Sequence, residues 1–375
     1  MQLRFTGTIV VCIIMAFTSA YALKFVAYGD SRDDMTTFGS INNRIGGENP
    51  ECIVFAGDCW GSSSQTSWVN AIKANTVTNA LLNANLYLVS RGNHESFSQL
   101  SAVSPTVVKN SSERYSFTQG NCFFVSMGMN PSSDYTWMQQ QLSSAASTAA
   151  SWRFIFNHYP IYSTGSHGAD GSNSSGASID QYRALCDQYH VTMCFAGHDH
   201  IYERTKLIYN GAAVGSGTTF NISTTPGTVY CVTGGAGAPL YGVGSDWWTG
   251  YANGTYNYVV LNATADTVYA TAKDENGSVI DAFKIIKNHS TAVAQNAGEK
   301  SNIGLRICAL GNNAFAVAAP AGAKCAIYDI LGNSIMRKSI SAAGEPLNIS
   351  FVKKGLYIAR ITFAGQTLVR SLAIR

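Results

Sequence analysis

The chain has 375 residues, enough for one large domain and a small one. Charged residues make up 13% of it, against roughly 25% in ordinary soluble domains, while Ser, Thr, Asn and Gly are abundant. A formal net charge of +3 supplies no basic field for tracking nucleic acid, so no nucleic-acid partner is expected.

Residues 1–22 read as a secretory signal peptide. Arg4 supplies the charged start, residues 5–17 form a short apolar stretch, and Ala20-Tyr21-Ala22 is a small-x-small cleavage site. The stretch is too short and too mixed for a membrane span, which needs about 20 apolar residues, and no later segment qualifies. The mature protein is therefore expected to be soluble and exported, either secreted or held at the cell surface. Cys12 leaves with the signal, and the other cysteines lack the paired C-x-x-C spacing of a zinc site. In an oxidising compartment Cys308 with Cys325 is the favoured pair, and buried free thiols are the alternative.

From Leu23 onward, short apolar runs alternate with helix-like stretches. The run 25–28 leads into Gly29-Asp30, 52–56 into Gly57-Asp58, and 86–90 into Gly92-Asn93-His94-Glu95. The run 154–156 leads into Asn157-His158, and 191–196 into Gly197-His198-Asp199-His200. Helices are predicted over 65–83, 134–148 and 178–189, where the pattern suits a 3.6-residue period. Buried strands alternating with helices imply an α/β sheet covered on both faces. Ligands of such sheets bind beyond the carboxyl ends of the strands, where all five loops fall. Each motif alone is commonplace; their joint occurrence, in order and at strand ends, carries the reading. Together they offer oxygen and imidazole donors enough for two metal ions, and five of the seven histidines lie in this set or just after it.

This series resembles the calcineurin-type metallophosphoesterases. Within that superfamily it is similar to purple acid phosphatases: His158-Tyr159-Pro160 is followed by Ser163 and His167-Gly168, and His200 continues as Ile201-Tyr202-Glu203-Arg204. Stretches 234–241 and 256–285 resemble the end of that catalytic domain, so the likeness covers roughly 24–286. The N-terminal β domain of plant-type members has no counterpart in it.

The resemblance implies a four-layer α/β/β/α sandwich over 23–287 and a secreted, acid-phosphatase-like binuclear-metal phosphomonoesterase. Its substrates would be small-molecule phosphate esters, attacked at phosphorus by a metal-bound hydroxide. By position, Asp58 would bridge the metals, Asp30 and His200 would hold the first, and Asn93, His158 and His198 the second. Oxygen and imidazole ligands suit divalent or trivalent Fe, Mn or Zn and argue against a thiolate structural zinc. Two such cations ~3.5–4 Å apart lower the pKa of a bound water, orient the phosphoryl group and stabilise attacking and leaving oxygens. His94 would contact the phosphate or protonate the leaving group. His167, in the Gly/Ser-rich loop 163–177, would share that task; a solvated loop residue is its alternative.

Two positions depart from the pattern. Many relatives have a His two residues after the first Asp, where Arg32 stands here; purple acid phosphatases have a Tyr three residues after the bridging Asp, where Gly61 stands. The first metal is expected to be held more weakly, and no tyrosinate-to-iron purple colour is expected. Arg32 cannot ligate a metal and is read as a bidentate contact to a phosphate oxygen, with a salt bridge to Asp33, Asp34 or a ligand carboxylate as the alternative. Tyr28, on the same strand face as Asp30 by alternation, is weighed as a displaced Tyr ligand. Trp60, Trp247 and Trp248 are candidates to wall the pocket and stack on an aromatic leaving group, core packing being the commoner fate.

After Lys287, residues 288–302 are polar and aperiodic and read as a linker. Short alternating runs at 314–318, 325–329, 347–351, 356–363 and 368–374 predict a small antiparallel β-sandwich over 303–375. Residues 326–333 (AIYDILGN), 354–361 (KGLYIARI) and the basic, apolar end resemble the C-terminal sorting domain of type IX secretion substrates. That likeness implies export and outer-membrane secretion machinery as partners, with the domain cleaved or used for surface attachment. An accessory carbohydrate-binding or adhesive module is the alternative. For the large domain, the competing functions are a phosphodiesterase or nucleotidase on the same scaffold, and a surface binding protein with a decayed site.

Overall fold

The structure is a computed structural model describing residues 22–103, 113–130, 135–170 and 179–287, and thereafter 306–311, 314–318, 321–329, 334–341, 346–348, 355–363 and 366–374. Residues 1–21 of the expected signal and the linker expected at 288–302 lie outside the described residues. The chain divides into two compact units at 288/289.

The large unit holds two seven-stranded mixed sheets. In the first, Leu23–Tyr28 lies at the junction: it pairs in parallel with Cys52–Phe55, which pairs with Tyr87–Val89, and antiparallel with Asn257–Ala263. Thr267–Asp274, Val279–Ile286 and Thr219–Asn221 extend it. In the second, Cys122–Ser126, Trp152–Phe156, Met193–Ala196 and Val229–Thr233 run parallel, flanked by Tyr115–Gln119 on one side and Tyr202–Thr205 and Thr249–Asn253 on the other.

Alternation along Leu23–Tyr28 assembles the four layers. Phe25 points at the second sheet, meeting Phe154, Phe124 and Phe195 at ring distances of 4.9, 5.1 and 6.1 Å. Each such ring contributes roughly 1.5–3 kcal/mol by leaving water. Tyr28 points the other way, into a helix layer, where its hydroxyl donates to Asn42 Oδ1 at 2.7 Å. On the far side, Tyr135, Met138, Tyr182 and Leu185 cover Phe123, Val125 and Ile155. The result is a four-layer α/β/β/α sandwich in which each sheet has helices on one face and the other sheet on its second.

The expected helix at 65–83 is two, Gln65–Lys73 and Thr76–Asn83, because the Asn75 side chain accepts from the Val77 and Thr78 amides and caps the second. Ser144 likewise caps Ala145–Ala149 and separates it from Tyr135–Leu142 within the expected 134–148. The third is observed as Ile179–Gln188. Met35–Glu48, a helix the periodicity did not single out, is capped by Asp34 and buries Phe38, Ile41 and Ile45.

The small unit forms antiparallel sheets: Arg306–Gly311, Ala314–Ala318 and Pro346–Asn348 in one, and Ser334–Ser339, Lys324–Asp329, Gly355–Phe363 and Gln366–Ile374 in the other. Cys325 is a free, buried thiol; the Cys308 side chain lies outside the described residues. Among the described residues no helix is long and apolar enough to cross a membrane.

Candidate metal centre

The parallel strands of both sheets deliver their carboxyl ends to one place. Asp30 and Asp58 follow the first two strands of one sheet; His158 and His198 follow two strands of the other. The turns are sharp: Asp30, Asp58 and His198 have φ of 62°, 55° and 70°, a region disfavoured by roughly 1–2 kcal/mol for a residue with a Cβ. Backbone bonds hold them there, Asp30 N–H donating to the Gly57 carbonyl at 2.9 Å and Arg32 N–H to that of Asp58 at 3.2 Å. Two motif glycines are required by contact. A Cβ on Gly197 would sit 2.0 Å from Asp30 Oδ2, and one on Gly92 would sit 2.2 Å from Asp58 Oδ1.

The histidine rings are oriented by their outer nitrogens. His158 Nδ1–H donates to the Ala56 carbonyl and His200 Nδ1–H to that of Pro239, each at 2.7 Å. Burial, the largest cause in each, pulls both imidazoles down to about 4, so they are neutral at pH 7. His158 Nε2 therefore turns a lone pair on Asn93 Oδ1 at 2.8 Å and Asp58 Oδ1 at 3.3 Å. His198 Nδ1 faces the same Asn93 oxygen at 3.1 Å. Nearby, His200 Nε2 lies 3.9 Å from Asp30 Oδ1. Asp30 is fully buried and its Oδ2 has no hydrogen-bond partner. Burial, and then the Asp58 carboxylate, push the Asp30 carboxyl well above its ordinary range. Donor atoms thus converge on a buried carboxyl whose charge is disfavoured until a proton or a cation offsets it.

The expected proton donors lie at the rim. His94 Nε2 is 3.7 Å from Asp58 Oδ2, and the His94 amide donates to Asp58 Oδ1 at 3.1 Å. His167 is half-exposed, with its ring 5.1 Å from that of His198.

Residues 23–202 match the calcineurin-like phosphoesterase family, and 311–375 match the secretion system C-terminal sorting domain. The chain carries a calcineurin-like phosphoesterase domain. Similar proteins include the probable inactive purple acid phosphatase 27 of Arabidopsis thaliana, 28% identical over 44% of this chain and 28% of that one. Purple acid phosphatase 23 of the same plant is 31% identical over 33% and 30%. A nucleotide pyrophosphatase/phosphodiesterase of Hordeum vulgare is 27% identical over 41% and 44%. The chain spans less than half the length of each of these curated relatives. A solved purple acid phosphatase from yellow lupin (Lupinus luteus) seeds shares the fold, with a TM-score of 0.59 at 18% identity over 72% of this chain and 55% of that one.

In this phosphoesterase domain the surroundings of Gly61 are occupied. A Cβ there would lie 2.8 Å from Asp33 Oδ1 and 3.3 Å from Arg32 Nε. Asp33 is held by the Ser62 amide and hydroxyl, at 2.9 and 2.8 Å. Arg32 makes the salt bridge to Asp33, at 3.3 Å, yet its Nε is buried with no acceptor. Tyr28 is not a substitute ligand, since its hydroxyl binds Asn42 and Tyr87 in the helix layer; the positive φ at Asp30 breaks the alternation that would have put the two on one face.

Trp60 is not a pocket wall either: it is buried, 5.8 Å from Trp68. Trp248 is half-buried against Tyr162 and donates to Glu203 Oε1 at 3.1 Å, while Trp247 is 44% exposed.

Sequence reasoning gave no role to several residues that shape the site. Glu95 accepts the amides of Gly92, Cys59 and Asp58. Asp199 accepts the Ser163 hydroxyl at 2.6 Å and the His167 amide at 2.9 Å, anchoring that loop. Tyr241 stacks on His200, ring centres 4.2 Å apart. Glu95 and Asp199 stood within the quoted motifs; Tyr241 carried no local signal that tied it to a histidine.

Proposed function

We propose that the protein is a secreted phosphomonoesterase whose centre holds two metal ions, Fe, Mn or Zn. The observation that carries this reading is the convergence of His158 Nε2, His198 Nδ1, Asn93 Oδ1 and Asp58 Oδ1, beside a buried Asp30 oxygen with no partner. Asp58 would bridge, Asp30 and His200 would serve the first ion, and Asn93, His158 and His198 the second. When bound, such ions neutralise phosphate charge and lower the pKa of a water.

The remaining work falls to the chain. Arg32, whose guanidinium charge acts on Asp30 and His200, would contact a phosphate oxygen and add charge that favours a dianionic monoester. His94, poised at the rim beside Asp58, supplies the proton that the leaving oxygen needs, with His167 as its companion. The C-terminal sorting-domain match implies secretion or surface display, and cleavage or attachment of that domain is part of the proposal.

A second reading, a diesterase or nucleotidase, is favoured by the name of the Hordeum relative. The name of the probable inactive relative raises a non-catalytic third, which the retained donor set opposes. The deciding experiment is hydrolysis of an aryl phosphate monoester beside the matching diester, using mature protein reconstituted with Mn, Zn or Fe. Metal-dependent monoester turnover lost in Asp58→Ala is expected. Faster diester cleavage would promote the second reading, and no metal uptake would overturn the first two.

A further inference from the structure

His158 and His200 give their outer nitrogens to backbone carbonyls. His198 does not: its Nε2–H donates to Asp170 Oδ2 at 2.9 Å, and the same oxygen lies 3.3 Å from His167 Nδ1. We propose that Asp170 is a positioning residue that couples occupancy of the second metal position to the placement of His167. The inference rests on the metal-centre reading above.

The chemistry follows from the two nitrogens of one ring. A carboxylate on Nε2–H fixes the tautomer that turns the Nδ1 lone pair toward Asn93 and makes that lone pair a better donor. A cation drawing on Nδ1 in turn makes Nε2–H a stronger donor to Asp170. Asp170 is about half-exposed, so water competes for its oxygens and this strengthening decides how firmly it is held. His167 is three residues away on the same loop, its amide anchored by Asp199. Holding Asp170 therefore holds the His167 ring through the same oxygen. The competing arrangement is a third cation among His167, Asp170 and His198, whose donor atoms lie within 4.8 Å of one another.

The test is zinc binding to the metal-stripped full chain, by competition with a chromophoric chelator, together with amide hydrogen exchange of the 163–170 loop. Asp170→Ala is expected to weaken one of two zinc ions about ten- to a hundredfold without shifting the melting midpoint of the metal-free protein. Asp170→Glu restores much of that affinity, and His167→Ala leaves both zinc ions in place. Zinc slows exchange in the loop of the wild type and of Asp170→Glu but not of Asp170→Ala. Unchanged zinc affinity in Asp170→Ala, or unchanged zinc protection of the loop, overturns the coupling. A fall from three zinc ions to two assigns Asp170 as a ligand and also overturns it. A wild type that takes up no zinc, manganese or iron defeats the metal-centre reading itself.

Discussion

The Glu95 carboxyl group accepts the backbone N–H of Asp58 at 3.1 Å, joining positions 37 residues apart. It also takes the Cys59 and Gly92 amides, at 3.0 and 2.6 Å, and so pins the loops that carry Asp58 and Asn93 to each other. Replacing it by Ala leaves three buried donors unpaired, at about 1–3 kcal/mol each. Glu95→Ala is expected to lower the denaturant midpoint markedly and to weaken metal binding about ten- to a hundredfold.

The same residue sets a pH dependence. Burial, and then the Asp58 charge, push Glu95 from 4.5 up to about 8. A raised carboxyl keeps its proton in the folded chain over a window in which the unfolded chain has released it. Its contribution is therefore full below about 4.5 and is lost as pH climbs through about 8. Denaturant titrations of metal-free protein at pH 6.5 and 9 should show stability falling, and falling less in Glu95→Ala. An identical decline in both proteins would exclude Glu95 as the cause.

Arg32→Ala removes a guanidinium whose charge reaches Asp30. The expected loss is roughly ten- to a hundredfold in kcat/KM for an aryl monoester, corresponding to ~1.5–3 kcal/mol, with a smaller loss for the diester. Steady-state kinetics on the two substrates decides it, and equal losses would remove the preference for a dianion.

Iron-loaded protein should lack a strong visible absorption band, since no tyrosine stands at 61 and Tyr28 is bound in the helix layer. Gly61→Tyr is not expected to create one, because Asp33 and Arg32 flank that position; overpacking there costs about 1–3 kcal/mol. An intense band in the wild-type iron form, read by absorption spectroscopy, would sink this prediction.

Arg204, on the second sheet, donates its Nε–H to Asp281 of the first at 2.7 Å, and both are buried. The Tyr202 hydroxyl binds the same oxygen at 2.9 Å. Asp281→Ala strands the guanidinium, at a cost of about 3–5 kcal/mol. Its urea midpoint should fall while turnover at low temperature persists, because the pair joins the sheets without touching the candidate metal ligands.

What could be read in advance had a local signature. Asp30, Asp58, Asn93, His158, His198 and His200 each stand just past an apolar run, so strand and polar ending appear in one short window. Their outer partners do not: the Ala56 and Pro239 carbonyls and Asp170 meet the rings only after distant segments fold. Helix breaks at Asn75 and Ser144 were invisible to periodicity, because each is made by one polar side chain capping the amides that follow it. Trp60 was weighed as a pocket wall against core packing, and its packing on Trp68 depends on a helix that begins at Gln65.

The unfavourable turns at Asp30, Asp58 and His198 are borne by sheet ends and by contacts among loops, none of which needs an ion. A chelator should thus return an apoprotein that is folded, in contrast to small zinc modules whose shape vanishes with their metal. A secreted metalloprotein built in this way would exchange one ion for another without passing through an unfolded chain. The metals held by such a centre would then be a record of its surroundings as much as of its sequence.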